Sequence, residues 1–91
     1  MIESLITIKN RTGLHARAAA KLVETISGFS STIELRNGTK TVDGKSILSV
    51  MMLAASPGTQ LTLIVDGVDE NEVVTAITSL VENNFGEDDH V

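Results

Sequence analysis

The stretch Gly13-Leu14-His15-Ala16-Arg17 gathers the residue types best equipped for chemistry in this chain. A histidine side chain, with a reference pKa of about 6.5, keeps a neutral nucleophilic nitrogen available near neutral pH. Helical spacing of apolar residues begins just beyond it, at Ala19, Leu22, Val23 and Ile26, so His15 falls where a helix starts. At such a start the first backbone N–H groups lack intrahelical partners and the helix dipole is positive, which stabilises an anion. The guanidinium of Arg17 can fork onto phosphate oxygens, and Gly13 permits the turn that exposes the ring. The pattern suits a phosphoryl group carried on His15. The same spacing also fits a histidine that only caps the helix or packs on Leu14.

Other catalytic patterns are missing. The chain has no G-x-x-x-x-G-K-[ST] phosphate cradle and no G-x-G-x-x-G, and Gly44-Lys45-Ser46 lacks the upstream glycine of a nucleotide-binding loop. Bound ATP or a dinucleotide is therefore not expected, and any phosphate must arrive on another molecule. No serine stands in a sharp strand-turn-helix setting, which argues against a Ser-His-Asp nucleophile. Ser46 has the simpler reading of an N-cap, a role that serine fills readily. With no cysteine and only two histidines, the chain offers no disulfide, no thiolate nucleophile and a poor zinc site, so neither cofactor nor metal is expected.

The 91 residues make one small domain, with no room for a two-domain enzyme. Phe29 and Phe85 are the only aromatic residues and the net charge is −5, which disfavours nucleic acid as a partner. No apolar run approaches the roughly 20 residues of a membrane span, and no secretory signal is visible, so a cytoplasmic protein is expected. The charge is uneven. All seven basic residues lie in the first 45 positions beside four acids, a net +3, whereas the remainder holds eight acids and no base. A local positive field of this kind suits an anionic group or an acidic partner surface.

The elements that must position His15 follow from periodicity. Ile2 to Lys9 alternates as a strand with Ile2, Ile6 and Ile8 on one face and Leu5 as the exception. A helix runs roughly from Ala16 to Ser27, with Gly28 as its stop. Ser31 to Arg36 and Thr39 to Asp43 read as a hairpin around Asn37-Gly38, the positive-φ pair that tight turns favour. Lys45 to Ala55 is apolar nearly all round if helical, more than a small domain can bury. Leu61 to Val65 is a fourth strand. Asp69 and Glu72 stand as a capping box before a helix carrying Val73, Val74, Ile77, Leu80 and Val81 on one face. The order β-α-β-β-α-β-α predicts an α+β open-faced sandwich, a four-stranded antiparallel sheet covered on one face by three helices, over residues 1–86. Residues 87–91 read as a solvated acidic tail.

The runs G-L-H-A-R-A-A-A-K-L-V at Gly13 to Val23, D-G-K-S-I-L-S-V-M-M-L-A-A at Asp43 to Ala55, and D-G-V-D-E at Asp66 to Glu70 resemble the histidine-containing phosphocarrier (HPr) family of the bacterial phosphotransferase system. The likeness spans residues 1 to about 86, and its wording is similar to proteobacterial members, including the nitrogen-related branch NPr. The resemblance implies a relay, not an enzyme: enzyme I, charged from phosphoenolpyruvate, passes a phosphoryl group to Nδ1 of His15, which hands it to a histidine of an enzyme IIA protein. It implies that Arg17 steadies the group and that the backbone amides of Ala16 and Arg17 face it. Members commonly have proline where this chain has Ala18, so the first helical turn loses a preset φ here; alanine also occurs at this place in NPr-like members.

The resemblance gives Ser46 a second role, since the matching serine is phosphorylated by an ATP-dependent HPr kinase in some members. It also gives the surplus apolar residues a use. With Val50 and Leu53 turned to the sheet, Ile47, Leu48 and Met51 would form a docking patch beside Ala20 and His15. Arg17, Lys21 and Lys45 would supply a basic rim that speeds encounter with acidic partners. A monomer is expected. The rival reading is a regulatory module on the same fold that docks without transferring phosphate.

Overall fold

The computed structural model describes residues 1–86; the acidic tail read at 87–91 lies outside the described residues. The elements run β1 (Ile2–Thr7), α1 (Ala16–Ile26), β2 (Thr32–Asn37), β3 (Lys40–Asp43), α2 (Ile47–Met51), β4 (Gln60–Asp66) and α3 (Glu70–Glu82), followed by a 3-10 turn at Asn84–Gly86. This is the expected order. The four strands form one sheet in the order β1-β4-β2-β3, with every neighbouring pair antiparallel. The helices cover a single face, so the architecture is the open-faced sandwich predicted from the alternation of elements.

Period-two burial carries the sheet. Ile6, Ile8, Ile33, Leu35, Leu61, Leu63 and Val65 are buried beneath the helices, while Glu3, Thr7, Thr32 and Glu34 are exposed. Leu5 keeps the strand's phase and is exposed on the open face, paired opposite Thr62. From above, α1 contributes Ala18, Ala19, Leu22 and Ile26 to the core and α3 contributes Val73, Ile77 and Val81. Each large aliphatic side chain so buried is worth roughly 1.5–3 kcal/mol against exposure, which is why the periodicity sets the phase of both helices.

Four local expectations are corrected. The hairpin turn has Gly38 and Thr39 between the paired Asn37 and Lys40, with a positive φ of 63° at Gly38 alone, so Asn37 ends the strand instead of entering the turn. The end of α1 does not use a left-handed glycine. Gly28 is absent from the positive-φ glycines; Ser27 caps the helix in the right-handed region and its hydroxyl donates to the Glu24 carbonyl at 3.1 Å.

The capping box also fails to form. The Asp69 carboxylate turns away from its own helix to accept from the Ser30 and Ser31 backbone N–H groups at 2.7 and 2.9 Å, and from the Ser31 hydroxyl. It is a clasp between the α1–β2 loop and the start of α3. The Ser31 hydroxyl foremost, and then the Ser30 N–H, hold the Asp69 carboxyl below its ordinary value of 3.8. Lastly, the apolar run from Lys45 to Ala55 is only briefly helical. The α-helix stops at Met51, and Ala54 adopts a left-handed φ of 52°, because the chain must turn there to meet the loop before α1.

Candidate functional site

The loop that presents His15 is built from its own polar groups. Asn10 is fully buried and its Nδ2 donates to the Gly13 carbonyl at 2.8 Å, while the Gly13 N–H donates back to the Asn10 carbonyl at 3.3 Å. Gly13 has φ of 68°, and a Cβ there would lie 2.4 Å from the Ala55 carbonyl oxygen. That contact admits only glycine. The next residue completes the clasp, with the Leu14 N–H donating to the same Ala55 carbonyl at 2.9 Å and the Leu14 side chain buried. A left-handed Ala54 costs roughly 1–2 kcal/mol of backbone strain, offset by the bond it aims.

His15 follows as the N-cap of α1, in an extended conformation with φ of −81° and ψ of −179°, and half-buried. Its side chain makes no capping hydrogen bond to the helix. The first helical bond runs from the Ala19 N–H to the His15 carbonyl at 2.9 Å, so the amides of Ala16, Arg17 and Ala18 precede the first available helical acceptor. Ala16 and Arg17 are exposed beside the ring's own residue, and Ala18 is buried in the core. The Ala18 methyl is buried, and α1 starts at Ala16 without the preset φ that a proline in the first turn would supply. Lys21 is exposed one turn further along α1, and Ala20 is half-buried.

Ser46 lies at a second helix start of different construction. Its Oγ accepts from the Ser49 N–H at 3.3 Å, and its carbonyl accepts from the Val50 N–H at 3.0 Å. This is the N-cap expected of serine. Beyond it, Val50 and Leu53 are buried, whereas Leu48 is 70% exposed, Met52 56%, Ile47 43% and Met51 37%. A five-residue helix and its C-cap residue, Met52, thus carry four apolar side chains on solvent, and α2 packs against α1, whose N-cap is His15. Lys45 is half-buried, its ammonium donating to the Phe29 carbonyl at 2.7 Å behind α1.

Sequence reasoning missed Asn10 and the Ala54-Ala55 turn. A polar residue three positions before a glycine is a signal for the first. Nothing in two consecutive alanines announces a left-handed turn. Among the described residues no cluster of histidine and carboxylate side chains is arranged to hold a metal ion.

The chain matches the family PTS-HPr, described as the PTS HPr component phosphorylation site, over residues 2–83. It is 48% identical to phosphocarrier protein HPr of Xylella fastidiosa, over 97% of this chain and 99% of that protein. It is also 42% identical, over 88% of this chain but 17% of the other, to the PEP-dependent dihydroxyacetone kinase phosphoryl donor subunit DhaM of Providencia stuartii. Among solved structures, HPr-C-His from Thermoanaerobacter tengcongensis superposes with a TM-score of 0.92 at 46% identity, covering 97% of this chain and 99% of that one. A match of this extent, on the fold that places a histidine at the open start of α1, makes this chain a member of the HPr family of phosphocarrier proteins of the phosphotransferase system.

Proposed function

We propose that the chain relays a phosphoryl group from enzyme I, charged from phosphoenolpyruvate, to enzyme IIA proteins through Nδ1 of His15. The observation that carries the reading is the start of α1: His15 in extended backbone, no side-chain cap of its own, and a loop clasped by Gly13 and Leu14 onto Ala55. In the charging step a neutral imidazole nitrogen attacks phosphorus, the N–P bond to His15 forms and the bond to the donor breaks. The positive helix end and the amides of Ala16 and Arg17 favour the anionic group, and the Arg17 guanidinium forks onto its oxygens. Delivery reverses these steps onto a histidine of enzyme IIA.

Docking is assigned to Ile47, Leu48 and Met51 of α2 with Ala20 of α1, rimmed by Lys21 and Arg17; Lys45, expected in the same rim, is drawn back from it by the bond of its ammonium to the Phe29 carbonyl. Adaptable apolar side chains suit a carrier that presents one surface to several partners. Ser46 is the candidate regulatory position: a phosphoryl group there would leave the helix start tolerable while opposing an acidic partner, in a host that has HPr kinase. Residues 1–86 act as one phosphocarrier domain, monomeric and cytoplasmic. The same transfer chemistry serves sugar uptake and nitrogen-related regulation, so the branch is decided by partners. Incubation with each candidate enzyme I and phosphoenolpyruvate is the test. Charging of His15 by one of them is expected; an uncharged protein that still binds enzyme I would leave a docking module without transfer.

A further inference from the structure

The far end of α2 is held by a device that nothing in the phosphoryl chemistry requires. The helix has only five residues, too few to be stable by its own hydrogen bonds. Its last N–H groups are used locally, with Met52 N–H donating to Leu48 and Ser49, Leu53 to Val50 and Ala54 to Met51. The carbonyls of Met52 and Leu53 lie past the last of these turns and would otherwise depend on water. Instead they are taken by the β2–β3 hairpin. The Lys40 ammonium donates to the Met52 carbonyl at 2.7 Å, and Asn37 Nδ2 donates to the Leu53 carbonyl at 3.3 Å.

Asn37 and Lys40 are the pair that closes the hairpin, and the register puts both on the helix-covered side, in phase with Leu35 and Val42. A cation at a helix C-terminus also opposes the negative end of the dipole. From Leu53 the chain passes through left-handed Ala54 to Ala55, whose carbonyl holds Leu14 next to His15. One end of the hairpin is therefore bonded to the carbonyls that end α2, and through the two residues of chain that follow it is joined to the Ala55 carbonyl that holds the loop presenting the histidine.

We infer that Lys40, assisted by Asn37, is a positioning residue for the docking surface: it fixes the C-terminal end of α2, and so the disposition of Leu48, Met51 and Met52 toward a partner protein. Lys40 acts through α2 and touches no reacting atom. The inference rests on α2 being the docking element of the proposed relay. Its consequence is specific. Loss of the Lys40 donor loosens the apolar strip before association, so binding of enzyme I suffers and the chemical step, once docked, does not.

Lys40→Met keeps the stem and removes the ammonium. With enzyme I and phosphoenolpyruvate, the KM for this protein should rise by about three- to tenfold, the size expected for one hydrogen bond of ordinary net strength at an exposed site, with kcat unchanged within about twofold. Lys40→Arg should restore most of the loss. In a Leu48→Ala background the same Lys40→Met change should have a smaller effect, a coupling that a generally weakened domain would not produce. Amide hydrogen exchange supplies a readout independent of transfer, with faster exchange expected at Met52, Leu53 and Ala54 and little change in the amides of α3. An unchanged KM beside a charged wild type, or a fall in kcat at constant KM, overturns the inference. If the wild type itself is not charged, the relay reading fails, and unchanged exchange at Met52 to Ala54 would then reject the positioning role as well.

Discussion

The starts of α1 and α2 lie on neighbouring helices and are built in opposite ways. At α2 the Ser46 hydroxyl accepts from the Ser49 N–H, so the helix end is closed by its own residue. At α1 the N-cap is His15, which makes no side-chain cap, and the effort goes into the loop before it: Asn10, Gly13 and Leu14 are bound in turn, two of them against Ala55. The first arrangement stabilises a helix. The second leaves the amides of Ala16, Arg17 and Ala18 ahead of the first helical acceptor, at the positive end of the dipole and next to His15. Bonding is concentrated in the loop that aims His15, which suits the proposed acceptance and release of an anion there.

If that contrast is right, the two starts respond differently to substitution. His15→Ala should abolish charging by enzyme I while leaving the domain folded, as a melting curve will show. Retained acid-labile label in this variant would end the relay as stated. Gly13→Ala should cost at least about 2 kcal/mol of stability, from positive φ and from a Cβ forced onto the Ala55 carbonyl. It should also slow transfer, since the loop can relax only by moving His15; denaturant unfolding and transfer rates measured side by side will show both effects or refute the clasp.

Smaller effects sharpen the comparison. Arg17→Lys should slow transfer more than it weakens association, since an ammonium cannot reproduce the guanidinium fork, and an equal rate would reduce Arg17 to a rim charge. Ser46→Asp should keep the cap, changing stability by no more than about 1 kcal/mol, because aspartate caps and favours the dipole. Its charge should nonetheless slow charging by enzyme I at low salt, with recovery as salt rises. An equal rate across a salt series would leave Ser46 a cap only.

The smallest expected effect lies away from both starts, in the clasp of Asp69 on Ser30 and Ser31. Folding holds this carboxyl below 3.8, so the unfolded chain binds the proton more readily than the folded one. The clasp therefore contributes fully above the unfolded value and loses its contribution as pH falls through the lower folded value. Asp69→Asn should lower the melting temperature near neutral pH and flatten its decline in acid. An unchanged slope below pH 4 would show that the carboxylate is not what the two serines hold.

How much of this was legible in the chain follows from which forces decide each feature. Burial dictates the phase of β1, α1 and α3, and burial repeats with a period, so Ile6, Leu22 and Ile77 announced themselves. Even Leu5, against the apolar pattern, obeyed the strand's geometry and stayed outside. His15 was visible because a chemical residue stood at a periodicity break. The strand order was not, since it depends on which edges the connections reach. The length of α2 was not either: Met52 to Ala55 have helical composition, and only tertiary bonds to Lys40, Asn37 and Leu14 determine that the helix ends and the chain reverses. Asp69 likewise had two places to bond, its own helix or Ser31, and a sequence pattern cannot weigh a partner 38 residues away.

The most direct test follows the amides of both helix starts as phosphate arrives. In isotopically labelled protein charged by enzyme I and phosphoenolpyruvate, nitrogen and phosphorus NMR should place the phosphoryl group on Nδ1 of His15. The backbone amides of Ala16 and Arg17 should shift strongly, and those of Ile47 to Ser49 should stay where they were. A phosphoryl group on any other residue, or on His15 with Ala16 and Arg17 undisturbed, would contradict the claim that α1 is left open to receive it.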